Sequence, residues 1–63
     1  MQTSRPASQK LFAVLDSFDA EHRTQTLSDL ARRARLPVST AHRLVSELVA
    51  WGGLERGADG RLR

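Results

Sequence analysis

The spacing of apolar residues divides the chain into three helical stretches and a glycine-punctuated end. Leu11, Val14, Leu15 and Phe18 recur at i, i+3, i+4 and i+7, the interval that lays one apolar stripe along a helix. Phe12 flanks that stripe. The pattern predicts a helix from Pro6 or Ser8 to Ala20, with Pro6 tolerated in a first turn and Ser8 as an alternative cap. Glu21-His22-Arg23-Thr24-Gln25 has no apolar residue and reads as a loop. Thr26-Leu27 suits a two-residue strand. Ser28 then caps a second helix, with Asp29 near the positive end of its dipole and Leu30, Ala31 and Ala34 on its inner side. Arg32, Arg33 and Arg35 lie away from that side.

The third stretch carries the clearest pattern. Pro37 ends the second helix and opens the next, because a first-turn residue needs no amide hydrogen. At roughly 100° per residue, Ala41, Leu44, Val45, Leu48 and Val49 share one side, with Val38 at its margin. Ser39, Thr40, Arg43, Ser46 and Ala50 lie opposite, with His42 and Glu47 at the edges. Gly52-Gly53 stops this helix after Trp51. Leu36, between the two helices, reads as a buried plug. Arg35 stands where such a turn favours glycine, and a left-handed conformation there costs about 1 kcal/mol relative to glycine.

After Gly53, Asp59-Gly60 is a hairpin signal and Gly57 a second flexible point. Leu54 and Leu62 can face the core while Arg56, Arg61 and Arg63 point outward. A lone two-stranded hairpin is unstable in water, so this one must dock on the helices, with Thr26-Leu27 as a candidate third strand. The expected fold is therefore mainly α with a small β-hairpin. It is a winged helix-turn-helix of three helices and a two- or three-stranded antiparallel wing, spanning residues 8–63 behind a flexible polar tail at residues 1–7.

Composition narrows the function classes. A 63-residue chain forms one domain at most, and such a domain buries only about 60% of its unfolded surface. It has no cysteine, so no disulfide or cysteine-zinc site staples it. No apolar run approaches the roughly 20 residues of a membrane span, and the first residues lack the apolar core of a secretory signal. Localisation in the cytoplasm is expected. The net charge is +3, unevenly spread. From Leu30 onward, Arg32, Arg33, Arg35, Arg43, Arg56, Arg61 and Arg63 face only Glu47, Glu55 and Asp59. A basic half fits a polyanion partner, and equally a solvated face.

The third helix turns that charge into a specific expectation. A recognition helix enters the major groove with its N-terminal residues at base edges. Here those residues are Val38, Ser39, Thr40, His42 and Arg43, of which Ser39, Thr40, His42 and Arg43 are the candidate base contacts. Arginine can hold guanine O6 and N7 together, and small hydroxyls let a helix approach closely while bonding a base or phosphate. Simple first-turn capping is the alternative for Ser39 and Thr40, and a solvated helix arginine is the alternative for Arg43. Ser28, Arg35, Ser46, Arg56, Arg61 and Arg63 form the candidate backbone and wing set. Arg32 and Arg33 read equally as phosphate clamps or as a solubilising face.

Other chemistries find little support. His22 and His42 are the only histidines and lack carboxylate partners at ligand spacing, so no metal or cofactor is expected. Ser39 near His42 has neither an oxyanion hole nor a cavity, which argues against an enzyme. Trp51 could stack on a single strand, but a lone tryptophan beside Gly-Gly more often closes a core or an interface. A protein-docking winged helix is the main rival to DNA binding and would need an exposed apolar patch.

Four segments carry a family resemblance. These are Leu27-Ser28-Asp29-Leu30-Ala31, Leu36-Pro37-Val38-Ser39-Thr40-Ala41-His42-Arg43-Leu44, Leu48-Val49-Ala50-Trp51-Gly52-Gly53-Leu54 and Asp59-Gly60-Arg61. Together they resemble the IclR family of bacterial transcription regulators over about residues 8–63. The resemblance implies a double-stranded DNA operator as partner, bound by a homodimer or tetramer. It also implies a further C-terminal domain that takes a small carboxylate or aromatic effector. By similarity, Ser39, Thr40, His42 and Arg43 carry over as recognition-helix contacts, and Arg56 and Arg61 as wing contacts. The chain departs from the family pattern at Arg35, where a turn glycine is common, and at Val38, where a basic or polar residue is common. Trp51 and the doubled Gly52-Gly53 depart as well.

Overall fold

The computed structural model describes residues 6–63. The expected tail therefore lies outside the described residues except for Pro6 and Ala7. Helix α1 spans Ala7–Asp16, α2 spans Leu27–Ala34 and α3 spans Val38–Trp51. Their inner faces meet over one core. Val14 comes from α1, Leu30, Ala31 and Ala34 from α2, and Ala41, Leu44, Val45 and Leu48 from α3. Leu36 plugs the turn, and Leu54 and Leu62 close the core from the C-terminal segment.

Helix α1 stops four residues before Ala20, where the apolar stripe alone would end it. The hydroxyl of Ser17 donates to the Val14 carbonyl at 2.6 Å, while the Ser17 amide reaches back to Ala13 and Val14. Such side-chain bonds offer the backbone an alternative to another helical turn. Beyond it, the Glu21 amide donates to Asp19 Oδ1 and the His22 amide to the Asp19 carbonyl, forming a tight turn. Phe18 leaves the helix yet still packs against the core. Val14 alone on α1 is fully buried.

The start of α2 is shifted from the expected position. Thr26 is its cap, in an extended conformation, and its Oγ1 accepts the Asp29 amide at 3.1 Å. Ser28 lies exposed inside the first turn instead of capping it. Thr26-Leu27 is consequently not a strand. Both Thr26 and Ser28 can cap, and packing decides: starting at Leu27 turns Leu30, Ala31 and Ala34 inward together. The extended residue is Gln25, whose amide donates to the Leu62 carbonyl at 2.9 Å and whose carbonyl accepts from Leu62 at 2.7 Å. Its side chain is buried and donates from Nε2 to Ser17 Oγ, a polar strut inside an apolar core.

Arg35 ends α2 at φ 60° and ψ 48°, in the left-handed region. The Leu36 amide then bonds the Ala31 carbonyl at 2.9 Å, which satisfies a helix-end acceptor and seats Leu36 in the core. Three residues, Arg35-Leu36-Pro37, thus turn the chain into α3. Arg35→Gly should raise stability by about 0.5–1 kcal/mol, because glycine carries no Cβ penalty at this conformation. Thermal unfolding would read this as a rise of a few degrees. An unchanged or lowered midpoint would mean that contacts of the Arg35 side chain outweigh the backbone term.

Gly52 closes α3 at φ 98°, and the Gly53 amide returns to the Leu48 carbonyl at 2.9 Å. The C-terminal segment departs most from expectation. No run of residues there forms a strand; pairing is limited to single bridges, Arg56 with Leu62 and Gln25 with Leu62. Glu55 and Arg63 exchange backbone bonds at 2.8 and 3.0 Å, and the Gly57 amide reaches the Arg61 carbonyl at 2.8 Å. Between them, the Gly60 amide bonds Gly57, and Gly60 alone in this turn has positive φ, 83°. Asp59-Gly60 is therefore not the centre of a two-residue hairpin turn, since type I′ and type II′ both require positive φ at the first central residue and Asp59 lacks it.

Candidate nucleic-acid interface

The outer face of α3 presents Ser39, His42, Arg43 and Ser46 to solvent, with Thr40 half-buried. They lie opposite Ala41, Leu44, Val45 and Leu48, so burial of one side leaves the other free. Ser39 to Ser46 spans about 10 Å of helix axis, at roughly 1.5 Å per residue. Among the described residues Arg43 is tethered only by Glu47, at 3.7 Å across one turn, and both side chains are 61% exposed. Such a surface pair is worth about 0.3–0.5 kcal/mol and leaves the guanidinium able to turn outward. Val38, placed by its angle at the margin of the packed face, is 52% exposed at the first turn.

The other arginines divide by partner. Arg33 is a brace. Its Nε donates to the Ser17 carbonyl, its Nη2 to Asp19 Oδ2, and its Nη1 lies 3.2 Å from His22 Nε2. His22 Nδ1 in turn lies 2.8 Å from Asp19 Oδ1. A carboxylate only accepts, so His22 donates from Nδ1 and offers Nε2 to Arg33. This ring of bonds ties the α1–α2 loop to α2 and answers, for Arg33, the choice between clamp and solvated face: it holds the fold. Arg32 pairs with Asp29 at 2.7 Å, and Arg63 with Glu55 at 3.3 Å. Arg61 reaches across to Thr24, donating from Nε to Oγ1 and from Nη2 to the carbonyl, both at 3.1 Å. Arg56 and Arg35 are exposed.

Two carboxyls feel these contacts. The hydrogen bond from His22, with the Glu21 amide, holds Asp19 below the usual carboxylate value. Asp29 is likewise lowered, first by its bond from Arg32 and then by Thr26, with Arg61 adding a smaller charge effect.

A second surface lies at the far end of α3. Leu11, Phe12 and Leu15 from α1 meet Leu48 and Trp51 from α3 around a shallow apolar groove edged by Glu47. Trp51 is 79% exposed and Phe12 61%. Trp51 therefore does not close the core, one of the two roles its position beside Gly-Gly allowed. Its ring lies across Gly53, where a Cβ would come within 2.7 Å of ring atoms. A side chain at position 53 would therefore displace the exposed Trp51 ring.

The helix-turn-helix arrangement, with its split third helix, has close counterparts among known proteins. The family model of the IclR helix-turn-helix domain matches residues 7–58. The chain belongs to the IclR family. This IclR domain is 50% identical to an IclR homolog from Microbacterium hydrocarbonoxydans solved with 4-hydroxybenzoate, with a TM-score of 0.86, covering 89% of this chain and 23% of that one. A second IclR homolog, from Microbacterium sp. strain HM58-2, is 47% identical with a TM-score of 0.86, over 94% of this chain and 25% of its own. An IclR-family protein from Rhodococcus sp. is 30% identical with a TM-score of 0.83, over 97% and 27%. The chain thus spans about a quarter of the length of these solved proteins. Comparison with curated proteins gives no match.

Membership makes this IclR domain a DNA-binding element of transcriptional regulation. Of the residues singled out from sequence, the structure gathers Ser39, His42, Arg43 and Ser46 on one face of α3. It sets Ser28 on the first turn of α2, and Arg56, Arg61 and Arg63 on the segment paired with Gln25. Sequence reasoning missed the pairing of Thr24 with Arg61. Val38, at the margin by angle but among the residues expected at the groove, is exposed, because in a first turn no preceding turn covers the side chain. Among the described residues, no helix is long and apolar enough to cross a membrane.

Proposed function

We propose that this IclR domain binds duplex DNA sequence-specifically, with the N-terminal half of α3 in the major groove. The observation that carries this reading is the division of α3 into a buried face and an exposed face of small hydroxyls and arginine. Arg43 holds the O6 and N7 of a guanine. Ser39, Thr40 and His42 bond neighbouring base edges or phosphates, and Val38 offers methyls of the kind that meet a thymine methyl. Ser28, Arg35, Ser46, Arg56, Arg61 and Arg63 address the backbone, the last three from the wing side along the phosphates or minor groove.

The protein acts as a homodimer or tetramer in the cytoplasm, on an operator of repeated half-sites. The apolar groove of Leu11, Phe12, Leu15 and Trp51 supports a contact with a second copy, since it lies about 18 Å along α3 from Ser39 and leaves the reading end free. A further domain binds the effector. The Microbacterium hydrocarbonoxydans homolog was solved with 4-hydroxybenzoate, which favours a small aromatic acid as the effector class here.

The test is selection of duplexes from a random pool, followed by titration of the selected sequence and its scrambled form across a salt series. Concentrations run high enough to saturate the scrambled duplex. The expected result is tighter binding of the selected sequence at every salt, with both affinities falling as salt rises. Equal affinities throughout would sink specific recognition. Absence of salt-dependent binding would favour a docking module built on the apolar groove.

A further inference from the structure

The anchoring of Arg61 differs from that of the other arginines with identified partners. Arg32, Arg33, Arg43 and Arg63 each meet a carboxylate within 4 Å. Arg61 is held instead by the hydroxyl and carbonyl of Thr24, both neutral. Its position is fixed while, among the described residues, no ion pair within 4 Å compensates its charge. Two carboxylates line its groove, Glu21 and Asp29; neither pairs with Arg61 within 4 Å, and Asp29, which feels the Arg61 charge only weakly, already commits its Oδ1 to Arg32 at 2.7 Å.

The geometry of the bonds matters as much as their charge. A guanidinium carries five N–H donors and can bond in pairs along either of two edges. Thr24 occupies the side edge, Nε with Nη2. The end edge, Nη1 with the second Nη2 hydrogen, makes no hydrogen bond among the described residues. Paired parallel donors of this kind match two oxygens of a phosphate. The anchor spans 37 positions of sequence, joining the α1–α2 loop to the turn after α3. It therefore aims a wing residue from the body of the domain.

We propose that Thr24 is a positioning residue that holds Arg61 by its side edge so that its end edge receives a backbone phosphate of duplex DNA. Resting on the DNA-binding reading above, this deepens it. Thr24 touches no DNA. It removes the ordering cost that a free arginine would bear on binding, about 0.5–1.5 kcal/mol for a long side chain.

The experiment uses a labelled 20-base-pair duplex of arbitrary sequence, since a phosphate contact needs no operator. Affinity is measured by fluorescence anisotropy from low to moderate salt, with the folded fraction of each variant established by circular dichroism. Arg61→Ala should flatten the plot of log affinity against log salt by about one unit, the loss of one phosphate contact. Thr24→Val, which deletes Oγ1 but keeps the carbonyl, should weaken binding roughly 2–10-fold at fixed salt. Thr24→Ser should restore it. In an Arg61→Ala background, Thr24→Val should have no further effect. If Thr24→Val lowers the melting temperature yet leaves affinity and salt slope at the parent's values, the clamp is only a brace and the proposal falls. The same follows if Arg61→Ala keeps the parent slope. If the parent chain itself shows no salt-dependent binding, the DNA-binding reading fails, and this one with it.

Discussion

Leu30→Ala is expected to abolish or nearly abolish cooperative folding near physiological temperature. Leu30 is fully buried and is the one large side chain that α2 buries completely; its other buried residues are Ala31 and Ala34. Truncating a buried leucine costs about 2–5 kcal/mol, from lost transfer energy and the cavity left behind. A chain of 63 residues has only about 3–9 kcal/mol of total stability at typical values per residue. Helix α2 cannot absorb the loss. At eight residues it is well below the roughly 12–15 needed for an isolated helix to persist even marginally, so its helicity depends on this packing. Thermal melts followed by circular dichroism should show the midpoint lowered by at least about 10 °C, or no transition at all. DNA binding should fail in parallel, because α2 holds α3 in place. Phe12→Ala, at a site 61% exposed, should leave the isolated chain's midpoint within a few degrees. A small shift for Leu30→Ala would mean that the core does not depend on α2 as its burial implies.

How much of this could be read from sequence depended on whether local chemistry acted alone. Helix α3 was legible almost residue for residue. Its apolar period is unbroken, Pro37 and Gly52 stop it at both ends, and of the five residues expected on its packed side Ala41, Leu44, Val45 and Leu48 are buried and Val49 is half-buried against the core. Arg35 was legible too, because a three-residue turn between packed helices demands one left-handed residue and no glycine was there to supply it. The end of α1 was not. Its apolar stripe runs on through Phe18, and what stops it is a hydroxyl–carbonyl bond at Ser17 joined to the buried side chain of Gln25, eight positions away. Local periodicity carries no trace of such a contact.

The α2 cap, expected at Ser28 and found at Thr26, was misplaced for a different reason. Thr26 and Ser28 are both good caps, and the choice between them belongs to the inward direction of Leu30. The C-terminal segment, expected as a hairpin wing and found with single bridges only, was partly legible. Gly60 marks the bend, but the bridges centre on Leu62, whose burial is a property of the assembled core. In the candidate interface, the exposed face of α3 followed from its period. The fate of each arginine did not. Arg33 lies 14 positions from Asp19, and Arg61 37 from Thr24. Nothing in residue type distinguishes these anchored arginines from Arg56, which stands exposed.

Arg43→Ala should have the largest effect on recognition while leaving the fold intact. The side chain is exposed and its one ion pair among the described residues, to Glu47, is long and solvated, so its removal costs little stability. On DNA the cost is larger. A bidentate arginine–guanine contact contributes about 1–3 kcal/mol of discrimination, or roughly 5- to 150-fold in affinity. The loss should be confined to one position of the operator: against a set of single base-pair substitutions, the variant should stop distinguishing guanine there and keep its preferences elsewhere. Arg43→Lys separates charge from geometry, since lysine retains the charge but lacks the planar fork. If Arg43 reads a base, Lys should resemble Ala in specificity while recovering part of the overall affinity. If instead Arg43 grips a phosphate, Ala should weaken every duplex alike and flatten the salt dependence by about one unit, and Lys should restore both. Glu47→Gln adds a directional check. It frees Arg43 from its only described partner, so binding of the selected duplex should hold or tighten. A weakening would mean that the pair orients Arg43 toward the groove.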